Sequence, residues 1–161
     1  MLAKIIATFF GTGFLRPASG TWGSLAALPA AYGIATIAGT LGIIIATILV
    51  FAAGVWATAK VTSEMAEKDP SIVVIDEVAG QWLALWPVVL GAASANAALH
   101  DLWPGWVAAF LLFRFFDIVK IWPASYFDAM KTPFGVMADD VVAGLYAAVC
   151  VVILAGAYHA L

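Results

Sequence analysis

Residues 22–61 of this sequence run apolar almost without interruption, and no charged side chain occurs among them before Lys60. The hydrocarbon core of a bilayer is about 30 Å thick and takes about 20 helical residues, so the stretch is too long for one crossing. It predicts a helical hairpin, with a turn at Ala38-Gly39-Thr40-Leu41-Gly42 between helices at about 22–38 and 41–61. Further apolar runs predict spans at about 76–95, 104–120 and 139–158. The expected fold is an all-α integral membrane protein, a compact bundle of about five transmembrane helices in a single domain, residues 1–161. The opening MLAKIIATFFGTGFL has one lysine and a short apolar stretch, like the start of a signal peptide, but no convincing cleavage site follows. It is expected to form a short helix at the interface or re-entering the protein.

Composition agrees with this expectation. The chain is 65% hydrophobic and 11% charged, against roughly 25% charged residues in soluble domains. The single Cys150 lies in an apolar run, which excludes a disulfide framework and suits helix packing. Five crossings would put the termini on opposite sides. All seven basic residues, Lys4, Arg16, Lys60, Lys68, Arg114, Lys120 and Lys131, then fall on the side of the N-terminus, which the positive-inside rule makes cytoplasmic. Every acidic residue except Asp101 is there as well. Acidic residues contribute little to orientation, so their segregation needs another cause.

Carboxylates occupy the cytoplasmic ends of three expected spans: Asp76 and Glu77 opening the third, Asp117 ending the fourth, Asp139 and Asp140 opening the fifth. Helix capping accounts for either adjacent pair taken alone. It fails for Asp117, since a negative charge at a helix C-terminus is disfavoured. Five carboxylates gathered in a partly dry place repel one another unless a cation intervenes. A hard divalent ion such as Mg²⁺, which pairs protein carboxylates with phosphate oxygens, meets that need. In FRFFDIVK, residues 113–120, Arg114 and Lys120 share a helical stripe with Asp117, which suits a phosphate beside the metal. Snorkelling, or simple pairing with Asp117, is the structural alternative. In RPASGTWGSLAALP, residues 16–29, Arg16, Thr21 and Ser24 beside two glycines form a second candidate phosphate cradle, although Ser-Gly-Thr is also ordinary capping chemistry.

His100 and His159 are the only histidines and fall on the opposite side, which leaves no nucleophile for a histidine-dependent lipid phosphatase. A zinc site of Cys and His ligands and a Cys-x5-Arg loop are equally excluded. Acidic, metal-assisted chemistry at the cytoplasmic surface remains. The alternatives are a small cation transporter or channel component using the acids as an ion site, and a metal-dependent lipid phosphotransferase. Transport sites usually lie near the bilayer midplane, whereas these acids gather at one edge.

The stretches GTGFLRPASGTWGSLAALP, SIVVIDEVAGQWLAL, FRFFDIVKIWPASYFD and GVMADDVVAGLYAA resemble, in order and spacing, the bacterial phosphatidylglycerophosphatase A family. The resemblance covers roughly residues 10–150. It implies a Mg²⁺-dependent lipid phosphatase of the inner membrane that converts phosphatidylglycerophosphate to phosphatidylglycerol, with lipid and not nucleic acid as its partner. By position, the family's DE pair falls on Asp76 and Glu77, its FRxxDxxK motif on Arg114, Asp117 and Lys120, and its DD pair on Asp139 and Asp140. Ile121 and Ser19 stand where the family usually has proline, and Thr132-Pro133-Phe134 where it often has glycines. These changes alter loop geometry and leave every charged position intact.

Overall fold

The computed structural model describes residues 1–63 and 71–160. Among them the order is α1 (Leu2–Ala7), a 3₁₀ turn (Thr12–Phe14), α2 (Ser19–Ser63), α3 (Ile75–Ser94), a second 3₁₀ turn (Leu99–Leu102), α4 (Trp103–Val119), α5 (Ala124–Ala129) and α6 (Pro133–Ala160). The described residues contain no strand. Three helical stretches are long and apolar enough to cross a membrane by length and composition: Ser19–Ser63, Leu99–Val119 and Pro133–Tyr158. The described residues are thus all-helical, with apolar helices of the kind a membrane protein carries.

α2 would be roughly 65–70 Å long if straight, about twice the hydrocarbon thickness. It does not run straight. Gly39 takes φ 63° and ψ −160°, a conformation essentially reserved for glycine, and the chain folds back there. A Cβ on Gly42 would sit 3.7 Å from the Ile34 carbonyl oxygen, although residues eight apart in a straight helix are separated by about 12 Å. The two arms, 19–38 and 40–63, both lie along α3. Gly23 meets Val74 and Gly54 meets Ile75 at one end of α3. Farther along, the Trp82 indole N–H donates to the Ala27 carbonyl at 2.9 Å, and Trp86 donates to Thr47 Oγ1 at 3.1 Å.

α3 is the central helix. It packs against α2, α4 and α6, and Val78, Ala79, Ala84 and Leu85 are fully buried. α6 crosses it with almost no side chain between the backbones. A Cβ on Gly144 would collide with the Gly80 carbonyl oxygen, and one on Gly80 would collide with the Asp140 carbonyl and lie 2.5 Å from Phe113 Cε2. α1 and the turn after it close the same end of the bundle: the Val74 N–H donates to the Ala7 carbonyl at 2.9 Å, and Gly13 lies against the Ile72 backbone.

Three expectations change. α6 begins at Pro133 and not near residue 139, because Thr132 caps it: Thr132 Oγ1 accepts from the Gly135 N–H at 3.0 Å, and proline suits a first helical position. Asp139 and Asp140 therefore lie in the second turn of α6, beyond the reach of a capping role. Residues 121–132, expected as a connection, contain α5. Much of the polar loop expected between Lys60 and Ile75, with Lys68 in it, lies outside the described residues; α2 itself runs on to Ser63.

Gly144→Ala is expected to lower stability by about 1–3 kcal/mol, the usual cost of overpacking a filled contact, and to reduce activity by separating α6 from α3. Thermal unfolding in detergent alongside a phosphate-release assay checks both; an unchanged melting midpoint would mean that the helices have room to spare.

Candidate active site

One end of the bundle holds a cavity of about 190 Å³. At about 30 Å³ per water, it has room for on the order of six waters, or for a phosphate with an ion. Its polar walls are Asp76 and Glu77 from the first turn of α3, Asp117 and Lys120 from the end of α4, Asp139 and Asp140 from α6, with Ser19 and Ser71 at the side. The Gly80–Gly144 crossing brings the α3 and α6 carboxylates together, since each set lies about one turn from it.

The carboxylates fall into two groups. Asp76, Glu77 and Asp140 each offer an oxygen, and these oxygens lie within 4.8 Å of one another. Each of the three also has a buried oxygen with no hydrogen-bond partner. Asp76 and Glu77 open α3 as expected, yet no side chain caps that helix, so capping does not account for them. The other two acids are paired with cations. Asp117 Oδ2 lies 2.5 Å from Arg114 Nη1, with both side chains mostly buried. Asp139 is bonded to Lys120 Nζ, which also reaches Asp128 Oδ1 of α5 at 3.1 Å. Lys120 can do this because it caps α4 in the left-handed conformation, φ 49°, which turns its side chain away from the helix axis toward α5 and α6.

Asp128 also receives Lys131 at 3.3 Å. Partial burial opposes its ionisation, but the two lysines outweigh that and hold its carboxyl below the usual carboxylate range. Asp128 was not among the residues singled out from the sequence, although it closes the same FRFFDIVKIWPASYFD stretch.

The expected phosphate cradle has a different arrangement. Ser24 is fully buried; it donates to the Gly20 carbonyl at 2.8 Å and accepts from Arg114 Nη1 at 3.4 Å, so it props the guanidinium. A Cβ on Gly20 would collide with Glu77 Oε1 and lie 3.2 Å from Arg114 Nη1. Glycine there lets α2 close over both side chains. Arg16 is exposed and donates to Ser71 Oγ at 3.2 Å. Ser19 donates to the Ser71 carbonyl at 2.5 Å. Thr21 is half-buried and does not line the cavity. Arg114 lies behind Asp117 and not on the cavity wall.

The family model described as Phosphatidylglycerophosphatase A matches residues 5–155. The chain belongs to this family. A Haemophilus influenzae phosphatidylglycerophosphatase A is 38% identical over 149 residues, covering 91% of this chain and 85% of that protein. A Bacteroides thetaiotaomicron protein, proposed by its name to be a phosphatidylinositol-3-phosphatase, is 38% identical over 157 residues, covering 94% of this chain and 92% of that protein. The Escherichia coli phosphatidylglycerophosphatase A is 34% identical over 146 residues, covering 89% and 78%. No solved structure matches the chain significantly. The four stretches that carry the family resemblance all meet around this cavity: the first closes over Glu77 and Arg114, and the other three supply the charged walls.

Lys120→Met is expected to destabilise the fold by about 1–3 kcal/mol, because it strands the buried Asp139 carboxylate. Asp128→Ala, which removes a partly exposed partner, should cost under about 1 kcal/mol. Thermal melts of the two variants check this order, and equal losses would show that Asp139 has no need of the lysine.

Proposed function

We propose that this chain is a Mg²⁺-dependent lipid phosphatase that hydrolyses the terminal phosphomonoester of phosphatidylglycerophosphate, leaving phosphatidylglycerol, at the cytoplasmic face of a bacterial inner membrane. The observation that carries the reading is the cluster of Asp76, Glu77 and Asp140, whose convergent oxygens include buried ones without partners. An all-oxygen, anionic donor set fits a hard divalent cation, and nothing in it favours a softer metal. The names of two family members supply the substrate class.

In this reading Asp76, Glu77 and Asp140 would hold the ion. Bound there, Mg²⁺ would neutralise phosphate charge and favour ionisation of a water. The protein's own contributions follow from the pairs around the cluster. Lys120 stands on the cavity wall and offers its ammonium to a phosphate oxygen, while Asp139 and Asp128 keep it charged and in position. Arg114 is held by Asp117 and Ser24 beside Glu77, and adds positive charge behind the acids as charge redistributes in the transition state. An attacking water must give up a proton, and Asp76 or Glu77, each with a buried oxygen that has no hydrogen-bond partner, would accept it through an oxygen not engaged with the ion and return it to the leaving group. The P–O ester bond then breaks and the lipid alcohol leaves with the proton it gains.

The two arms of α2 together with α3, α4 and α6 make five crossings in this reading, with the cavity at the cytoplasmic end because the basic residues collect there. In this reading α1 and the turn after it lie at the interface, where the exposed Leu2, Phe10 and Phe14 would meet lipid. Acyl chains would rest against the outer helix faces while the headgroup enters the cavity.

Purified protein should release phosphate from phosphatidylglycerophosphate, lose that activity on chelation and regain it with Mg²⁺. Phosphatidylinositol 3-phosphate and phosphatidate serve as comparison substrates. Full turnover after exhaustive chelation would remove the metal, and no release from phosphatidylglycerophosphate would remove the substrate. A reporter fused after Leu161 should be active only in its periplasm-sensitive form; a cytoplasmic signal would mean an even number of crossings.

A further inference from the structure

Gln81 stands out among the side chains with no assigned role. It is fully buried, and neither its Oε1 nor its Nε2 has a hydrogen-bond partner. An unsatisfied buried amide is costly, so a carboxamide held in a membrane bundle calls for a polar contact that it makes in the working protein. Two neighbours carry complementary unpaired atoms. Glu77, one turn earlier on the same face of α3, has a buried acceptor, Oε2, without a partner; Arg114 has a buried donor, the Nε–H, without one. Gly80 of α3 meets Phe113 of α4, and the two helices run antiparallel, since the first turn of α3 and the last turn of α4 share the cavity; the next residues, Gln81 and Arg114, therefore flank that contact, offset by about 3 Å along the axis. Gly20, packed against both Glu77 Oε1 and Arg114 Nη1, shows that those two side chains converge.

We propose that Gln81 is a positioning residue whose carboxamide bridges Arg114 to Glu77, accepting from the Arg114 Nε–H and donating to Glu77 Oε2. In that arrangement all four unpaired atoms gain partners. The bridge fixes which Glu77 oxygen faces the cavity and ties the guanidinium to the acid cluster. The effect on turnover rests on the phosphatase reading, but the contact itself does not.

Gln81 is the single glutamine in the sequence, so protein labelled with ¹⁵N-glutamine gives one glutamine side-chain amide pair. In the full-length protein in detergent, that pair should exchange with solvent more slowly than a free carboxamide. It should also shift when Arg114→Lys removes the Nε–H and when Glu77→Met removes the acceptor carboxylate. In phosphate release, Gln81→Met keeps the length but not the hydrogen bonds. Its kcat should fall by about tenfold to a hundredfold, the scale of a small misplacement near the reacting atoms, with KM changed less than about twofold. Its melting midpoint should fall as well, since both hydrogen bonds are lost and the buried Arg114 Nε–H and Glu77 Oε2 are left without partners. A near-normal kcat in Gln81→Met, or an amide pair unmoved by both neighbouring substitutions, overturns the bridge; so does a melting midpoint that stays level or rises. Should Gln81→Met fail to fold, the amide shifts decide alone. A parent chain that releases no phosphate sinks the phosphatase reading instead, and the amide shifts still judge the contact.

Discussion

The site depends on how closely α3 and α6 approach. Helices packed through ordinary side chains sit about 8–10 Å apart, and glycine-lined crossings in membranes allow less. Here Gly80 and Gly144 face each other with backbone against backbone. That closeness sets the first turn of α3 against the second turn of α6 and makes Asp76, Glu77 and Asp140 neighbours. Bringing three carboxylates together is electrostatically unfavourable, and packing at the glycine crossing opposes their separation. Weakening that contact would let the acids spread into solvent, and the cavity would lose its charge density along with its shape.

Around this cluster the protein divides its charges by helix. Arg114 pairs with Asp117 within α4, while Lys120 reaches out of α4 to Asp139 of α6 and Asp128 of α5. Two of the five site carboxylates are thereby neutralised, and three are left for a ligand. The arrangement also links α4, α5 and α6 through one ammonium group, so the wall that would meet a phosphate is the wall that holds this end of the bundle together.

Much of this was legible in the sequence for identifiable reasons. The hairpin could be read because a long apolar run must turn and Gly39 can break a helix. The acids could be read because charge is rare in apolar helices. The division of the carboxylates into paired and unpaired could not, since it depends on side-chain direction across helices and on the left-handed turn at Lys120. The start of α6 was misplaced by giving weight to Asp139 and Asp140 as first-turn acids over the capping pair Thr132-Pro133. Ser24, expected in a phosphate cradle, donates to the Gly20 carbonyl one turn earlier and accepts from Arg114, and the second contact joins residues too far apart in the chain for a local pattern to show it. Nothing in the local pattern marked Gly80 and Gly144 as partners, because helix crossings join residues that are remote in the chain.

The central place of α3 bears on how the molecule is made. α3 carries two acids and a glutamine and is walled by other helices, and it is not among the helices apolar enough to cross unaided. It would be a poor candidate for lipid on its own during synthesis. The hairpin of α2 precedes it in the chain and presents two faces on which Trp82 and Trp86 find acceptors. The order of the sequence thus suits an assembly in which an apolar pair enters first and becomes the solvent for the polar helix that follows.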